Sequence, residues 1–347
     1  MENILKLLQS YSKETHIEVL GKHEECLELK NICPLYSKCW GKESAPYIVL
    51  THLLDSYYCL PERPDLAFPH LWMAINNSYN KHFMKKFVHS SSYMQTGDSI
   101  NLDSILDTLS NNLNVSFNYK SRDFTIIELI ELYVSKIPIK TLRFVANYIL
   151  KGMVIKEKLV YETLLGFNGI LMEDKHVNQY VSSQYGTFSR LFADIDREIK
   201  KTYGREYFKI CSPKINKVNA GIDYVVSDKD KSRRISDSLA NTLKHLLINR
   251  TAKVKDVEGN EYIISFSDDK EYLQFLFTCV LYAIRNTTLH GNVAARFNSV
   301  RFNKETIKSS NFMYLLGHLF LSLCLYCNGD YDKDDLYINL ENINLIS

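Results

Sequence analysis

Three residues at the end of an apolar segment are of types that could bind an anion and move a proton. Arg285, Asn286 and His290 follow a run rich in leucine, phenylalanine and valine. Asn286 and His290 are four residues apart, so on a helix they share a face and the amide can orient the imidazole. Arg285 lies about 140° away from His290 around the axis, so its long side chain must bend toward the histidine. Gly291 comes next and suits the left-handed position that ends a helix.

Two interpretations of this spacing compete. In the structural one, Arg285 packs beside the core and His290 complements the helix dipole at the carboxyl end. In the chemical one, an imidazole with a pKa of about 6.5 is a general acid or base at neutral pH, and a guanidinium binds phosphate. An arginine is costly beside an apolar core without a partner, so its position calls for an explanation.

The surrounding residues resemble the signature of the HEPN superfamily (higher eukaryotes and prokaryotes nucleotide-binding domains). Its ribonuclease members carry Arg-x4-6-His, often as Arg-Asn-x-x-x-His-Gly at the end of an apolar helix. The matching run is Leu281-Tyr282-Ala283-Ile284-Arg285-Asn286-Thr287-Thr288-Leu289-His290-Gly291. A second run is similar to an early helix of long HEPN proteins, where Trp-x-Ala-Phe-Asn-x-Leu-Tyr is typical. It reads Leu71-Trp72-Met73-Ala74-Ile75-Asn76-Asn77-Ser78-Tyr79, with Ile75 and Ser78 departing from the pattern.

The resemblance implies a metal-independent endoribonuclease that needs no cofactor. The 2′-hydroxyl of RNA would be the nucleophile, so the protein would supply only proton transfer and charge stabilisation. His290 would be the general base or acid, Arg285 would clamp the phosphate, and Asn286 would fix the imidazole tautomer or contact phosphate. The expected products are a 2′,3′-cyclic phosphate and a 5′-hydroxyl.

The resemblance also implies an assembly and a setting. Family members pair two such helices across a dimer, so we expect a homodimer with His290 of both chains in one cleft. Association with the family suggests toxin or antiviral defence systems, where an inhibitory or regulatory partner could silence the activity. The main alternative is a non-catalytic HEPN-like helical protein that binds nucleotide, RNA or a partner protein.

A third hypothesis, a zinc-stabilised adaptor, depends on a cluster of possible ligands near the amino terminus. The cluster comprises His23, Cys26, Cys33 and Cys39. Because these spacings match no common zinc module, buried thiols explain the cysteines better and we predict no metal.

Residues that could contact the substrate are harder to place from sequence. We name Asn76 on the early helix, the Arg233–Arg234 pair and Arg296 just beyond the motif. Two further groups mix bases with aromatics or cluster bases, although each is more often a solvated helix face. They are Lys200, Lys201, Tyr203, Arg205, Tyr207, Phe208 and Lys209, and separately Lys81, Lys85 and Lys86.

The pattern around these residues predicts a mainly α fold, a HEPN-like helical bundle with a large helical insertion and one short β-hairpin. Apolar spacing predicts helices after Pro69, from Asp98 or Asn101, and over 125–133, 139–150, 185–203, 236–248 and 312–327. Asp268 and Asp269 would cap the helix that leads to Arg285. The hairpin is predicted around 252–257 and 262–266.

Composition sets the broad class. Among 347 residues there are 13 glycines and 7 prolines, too few for a β-sandwich or a propeller, and the net charge is +2. We detect neither a signal peptide nor a membrane span, so we expect a cytoplasmic chain with reduced cysteines and no membrane partner. We predict an amino-terminal, cysteine-containing segment at 1–66 and a HEPN-like domain at 67–347 with a helical insertion at about 118–230.

Overall fold

The computed structural model describes residues 12–20, 24–41, 44–88, 97–164, 188–216, 221–281, 285, 296–298 and 302–346. The protein is mainly helical, which confirms the predicted fold class. It divides into two compact units. The first comprises 1–140 and 281–347, and the second comprises 141–280.

The first unit is a helical assembly with one hairpin. Its α-helices are α1 (Lys13–Leu20), α2 (Tyr47–Tyr58), α3 (Pro64–Val88), α4 (Asp98–Ser110), α5 (Ile126–Ser135), α11 (Lys304–Cys327) and α12 (Ile338–Ile343). Short 3₁₀ helices span Glu24–Asn31, Arg296–Asn298 and Lys333–Tyr337, and strands β1 (Ser116–Tyr119) and β2 (Arg122–Thr125) pair antiparallel.

The centre of this unit is the contact between α3 and α11. A Cβ atom on Gly317 would meet Leu71 Cδ2 at 3.0 Å and Phe68 Cε2 at 3.3 Å, so glycine permits the two helices to approach closely. Helix α11 is long and apolar enough for a membrane span by length and composition, yet most of its apolar window is buried within the protein. It is therefore a core helix of the first unit, and it extends beyond the predicted range 312–327 to begin at Lys304.

Residues 24–41 and 44–58 are joined to distant parts of the first unit by hydrogen bonds. The Tyr57 hydroxyl lies 2.8 Å from His318 Nε2 on α11 and also accepts a hydrogen bond from the backbone N–H of Leu35. Asn342 brackets Cys33, because its amide accepts from the Cys33 N–H at 2.8 Å and donates to the Cys33 carbonyl at 2.9 Å. Long-range contacts, which local spacing cannot reveal, order this region.

Helix α3 begins at Pro64 and not after Pro69 as predicted. Proline is favoured in the first helical turn, where its missing N–H would have had no partner. Pro69 is tolerated one turn further on, because packing of the helix compensates for the one backbone hydrogen bond that it cannot make.

The structure has three two-stranded hairpins among its described residues, whereas we predicted one. The predicted hairpin is confirmed as β5 (Thr251–Lys255) and β6 (Glu261–Ser265). Strands β1 and β2 turn through Lys120 and Ser121, which both have positive φ, at 48° and 66°. That conformation is typical of a type I′ turn, but these residues lack the Asn-Gly signal that would have revealed it.

The second unit combines helices with two of the hairpins. Its helices are α7 (Ala193–Ile199), α8 (Arg205–Ile210), α9 (Lys229–Asn249) and α10 (Asp269–Gln274), with α6 (Ile139–Leu164) beginning at its border. Segments Lys200–Gly204 and Phe275–Leu281 are π-helical, and strands β3 (Cys211–Asn216) and β4 (Gly221–Val226) pair antiparallel. Phe192 and Phe275 pack edge to face with ring centroids 5.2 Å apart, so this unit has its own aromatic core.

The observed division differs from the predicted domains. Residues 1–66 are not separate, because α2 packs on α3 and the 3₁₀ helix Glu24–Asn31 packs on α11 within the first unit. The second unit begins near 141, well after the predicted insertion boundary at about 118, because β1, β2 and α5 pack with the carboxyl-terminal residues. One such contact is the Tyr133 hydroxyl, which donates to the Asn339 carbonyl at 3.0 Å.

Candidate functional site

The helical segment that leads to the Arg-x4-His motif is buried and begins with the predicted cap. The Asp268 carboxylate accepts a hydrogen bond from the Glu271 N–H, which fixes the start of α10. The π-helix that follows, Phe275–Leu281, contains Leu276, Phe277 and Val280, all fully buried. Short π-helical segments within helices are frequent at functional sites. Arg285 is described and helical, whereas Asn286 and His290 lie outside the described residues.

Arg285 lies between an aromatic ring and a carboxylate. Its guanidinium carbon is 5.9 Å from the centre of the Trp72 ring, and Nη2 is 3.5 Å from Asp98 Oδ2. The Arg285 side chain is 16% exposed and that of Asp98 is 42% exposed. A cation over tryptophan and beside a half-exposed carboxylate is stabilised without being sealed from solvent.

Two helices set the positions of these partners. Trp72, Asn76 and Asn80 are spaced four residues apart on α3, so they form one stripe along that helix. Asp98 and Asn101 are three residues apart in the first turn of α4 and therefore share a face.

Hydrogen bonds join the two stripes. Asn101 Nδ2 donates to Asn80 Oδ1 at 2.7 Å, and Asn80 Nδ2 donates to Asn76 Oδ1 at 2.8 Å. We call these three side chains the amide ladder. The structure thus brings Asn76, predicted as a substrate contact, onto the same stripe as the tryptophan that Arg285 covers.

This arrangement can bind an anion. A guanidinium offers several N–H donors in one plane, and partial burial strengthens its attraction for phosphate or carboxylate. The Asp98 carboxylate partly offsets that positive charge. Because the carboxylate is half-exposed, water or another anion can replace it beside the guanidinium.

Arg233, Arg234 and Arg296 are the other predicted substrate contacts. Arg233 and Arg234 are exposed on α9 of the second unit, where Arg233 makes a long ion pair of 3.9 Å with Asp237. Arg296 begins a one-turn 3₁₀ helix in the first unit, and the position of its side chain is outside the description.

The lysine cluster on α3 serves the fold. Lys81 pairs with Asp330 at 2.7 Å, and Lys85 donates to the Asn328 carbonyl at 2.7 Å. Lys86 donates to the Thr108 hydroxyl at 2.9 Å. These lysines tie α3 to α4 and to the carboxyl end of α11. A surface that binds RNA is therefore the weaker interpretation of the cluster.

The mixed basic and aromatic group at 200–209 is also largely used within its own unit. Lys201 pairs with Glu198 and lies 5.2 Å from the centre of the Tyr262 ring, and Tyr207 is buried. Further pairs join Lys200 to Glu157 and Lys209 to Glu206. A strand-binding surface here would have to compete with these contacts.

The hypothesis of a zinc adaptor gains no support from the described residues. No group of three or more potential metal ligands is found among them, although His23 and the Cys26 side chain lie outside the description. Cys39 Sγ lies 3.0 Å from Ser37 Oγ, and the described cysteine side chains are free thiols.

Sequence reasoning missed Asp98, Asn80 and Asn101 as parts of the site. Asp98 was noted only as the start of a helix, which it is. The four-residue spacing from Trp72 through Asn76 to Asn80 was a usable signal, whereas the pairing with Asp98 and Asn101 depends on how two helices pack.

Comparisons of this chain with protein-family models, with curated proteins and with solved structures found no match. The resemblance to HEPN proteins therefore rests on the two motifs quoted above.

Proposed function

We propose that the chain is a metal-independent endoribonuclease of HEPN type that uses Arg285, Asn286 and His290. The observation that carries the proposal is the setting of Arg285. Its side chain lies over Trp72, approaches Asp98, and keeps part of its surface in contact with solvent. An arginine in that position can receive a phosphate without rearrangement of the core.

The proposed chemistry follows from RNA itself. The 2′-hydroxyl oxygen attacks the adjacent phosphorus and the bond from phosphorus to the 5′-oxygen breaks. His290 accepts the proton from the 2′-hydroxyl or donates one to the leaving 5′-oxygen, with the second transfer made by His290 of another copy. Arg285 stabilises the additional negative charge of the transition state, and Asn286 holds the imidazole tautomer or contacts phosphate.

One arginine and one histidine are too few for acid, base and phosphate clamp together, so the proposal includes a homodimer. Light scattering should find two copies per particle at micromolar concentration, and specific activity should fall on dilution. A monomer whose specific activity is independent of concentration would contradict this part of the proposal.

A second candidate function is a non-catalytic helical protein that binds nucleotide, RNA or a partner protein. The ion pair between Arg285 and Asp98 favours it, because a carboxylate partner can give an arginine a purely structural role. A cytoplasmic location and a part in toxin or antiviral defence belong to the first proposal and rest on the family resemblance alone.

The test of function is cleavage of RNA by the purified full chain in EDTA. Cleavage should persist, should leave 2′,3′-cyclic phosphate ends, and should fail on RNA that carries 2′-O-methyl at the cut site. His290→Ala should abolish it, while His245→Ala, at an exposed position on α9, should not. Loss of cleavage in EDTA with recovery in magnesium would point to a different class of nuclease.

A further inference from the structure

The amide ladder has a direction. Asn101 donates from Nδ2 to Asn80, and Asn80 donates from Nδ2 to Asn76, so the chain of amides runs from Asn101 through Asn80 and ends at Asn76. Asn101 is 9% exposed, and its Oδ1 has no hydrogen-bond partner within the described part of the chain. Asn76 is half-buried at the other end, and the described residues provide no acceptor for its Nδ2.

This direction is the favoured one of the two that the amides could adopt. Reversing all three amides would place an NH₂ group at the buried end, where it would lack an acceptor. Buried N–H groups without partners are rarer than under-satisfied carbonyl oxygens, so the buried end of the ladder keeps the oxygen. The solvent-facing end is then a donor, and alignment of the amide dipoles strengthens it.

Both helices that carry the amide ladder also carry a residue in contact with Arg285. On α3, Asn76 lies four residues, about 6 Å along the axis, beyond the tryptophan under the guanidinium. On α4, Asn101 lies three residues beyond Asp98, which pairs with the same arginine. Asn76, whose Nδ2 is the free donor of the ladder among the described residues, is therefore next to the tryptophan that Arg285 covers. A nucleotide whose phosphate is bound by Arg285 would have its base near this donor.

We infer that Asn76, oriented by Asn80 and Asn101, recognises a base of single-stranded RNA next to the phosphate bound by Arg285. The inference rests on the proposed function and adds a base preference to it. Sequence-specific RNA recognition uses splayed bases that are hydrogen-bonded at their edges, with aromatic side chains nearby. At position 4 of a pyrimidine or position 6 of a purine, an Nδ2 donor selects the carbonyl oxygen, uracil O4 or guanine O6, over the amino group that cytosine and adenine have at the same position.

The test measures binding and not cleavage, with the catalytically inactive His290→Ala variant of the full chain. Fluorescence anisotropy should show that a hexamer of uridine binds about fivefold more tightly than a hexamer of cytidine, the value of one hydrogen bond. Adding Asn76→Ala should make the two affinities equal. Adding Asn76→Asp, which replaces the donor by an acceptor, should favour cytidine. Asn111→Ala, exposed at the far end of α4, is the matched control and should keep the preference for uridine.

Each outcome either supports or overturns the proposed base subsite at Asn76. Equal or tighter binding of cytidine, no binding of either hexamer, or a ratio unchanged by Asn76→Asp would overturn the subsite. Preference for uridine that depends on Asn76, in a chain whose parent cuts no RNA, would support the subsite and contradict the proposed nuclease.

Discussion

Arg63 and Arg285 of the first unit have closely similar surroundings. Each side chain is 16% exposed, each is paired with an aspartate, and each lies over an aromatic ring, Phe297 at 5.8 Å or Trp72 at 5.9 Å. The aspartates differ. Arg63 makes two hydrogen bonds to Asp65, of 2.8 and 3.0 Å, whereas the contact of Arg285 with Asp98 is a single approach of 3.5 Å.

The exposure of the carboxylates explains the difference. The Asp65 side chain is 5% exposed and that of Asp98 is 42% exposed. A buried, bidentate pair is fixed, and its guanidinium cannot change partner without stranding a charge. A long pair to a half-exposed carboxylate is weak and can be exchanged for another anion. Burial and residue type alone therefore do not distinguish the two arginines, while the exposure and geometry of the aspartates do.

The largest expected difference between the two arginines is in the rate of RNA cleavage after each is replaced by alanine. Arg285→Ala should lower single-turnover cleavage by roughly 100-fold or more, because charge stabilisation in the transition state is lost. Arg63→Ala should leave cleavage near that of the parent and lower the melting temperature, because it removes a fixed ion pair. Cleavage and thermal melting should be measured on the same preparations. If both variants cut RNA at the rate of the parent, the assignment of Arg285 fails.

Unfolding at different pH values tests the stability of the helical core separately from the two arginines. Burial lowers the pKa of His318 to about 4, and burial beside Lys86 also lowers the pKa of His82. The folded chain then binds fewer protons than the unfolded chain between about pH 4 and 6.5, so stability is fully present above this window and falls through it. The loss from His318 is about 3 kcal/mol at most.

Denaturant unfolding at pH 7.0 and at pH 4.5 would measure this loss. His318→Gln, which keeps a polar end for Tyr57, should show a smaller difference between the two pH values than the parent. A parent whose free energy of unfolding is the same at both would contradict the assignment of a neutral, buried imidazole.

Neutralising the two carboxylates should give the smallest effects, and these are changes in the free energy of unfolding. Asp65→Asn should lower the free energy of unfolding by about 2 kcal/mol, because it weakens two hydrogen bonds to a buried cation. Asp98→Asn should lower it by less than about 0.5 kcal/mol, as for exposed pairs. Equal losses in denaturant titrations would show that the two arginines are held alike.

Local signals in the sequence were enough for most helices. Thr125 and Glu128 form a capping box at the start of α5, and Asp268 caps α10, both within the reach of a few residues. The hairpin of β5 and β6 has Gly259 at a φ of 87° in its turn, where glycine is favoured. Such features depend on neighbouring residues, so a sequence reveals them.

What the sequence did not reveal depends on residues far apart in the chain. Asn342 orders the backbone at Cys33 from 309 positions away, and Asn101 meets Asn80 only because α3 and α4 pack together. For the lysines of α3 the sequence favours a solvated helix face over a contact with RNA, since nothing nearby in sequence indicates that Asp330 and the carboxyl end of α11 engage them. The motif was visible as residues, while Asp98, which pairs with its arginine, was visible only as the start of a helix.

Sequencing of RNA ends in cells that express either the parent chain or His290→Ala, at matched protein levels, tests the central claim most directly. We expect discrete new ends in the parent, with a 2′,3′-cyclic phosphate on one side of each cut and a 5′-hydroxyl on the other, and their absence in the variant. Identical RNA ends in the two cultures would contradict it.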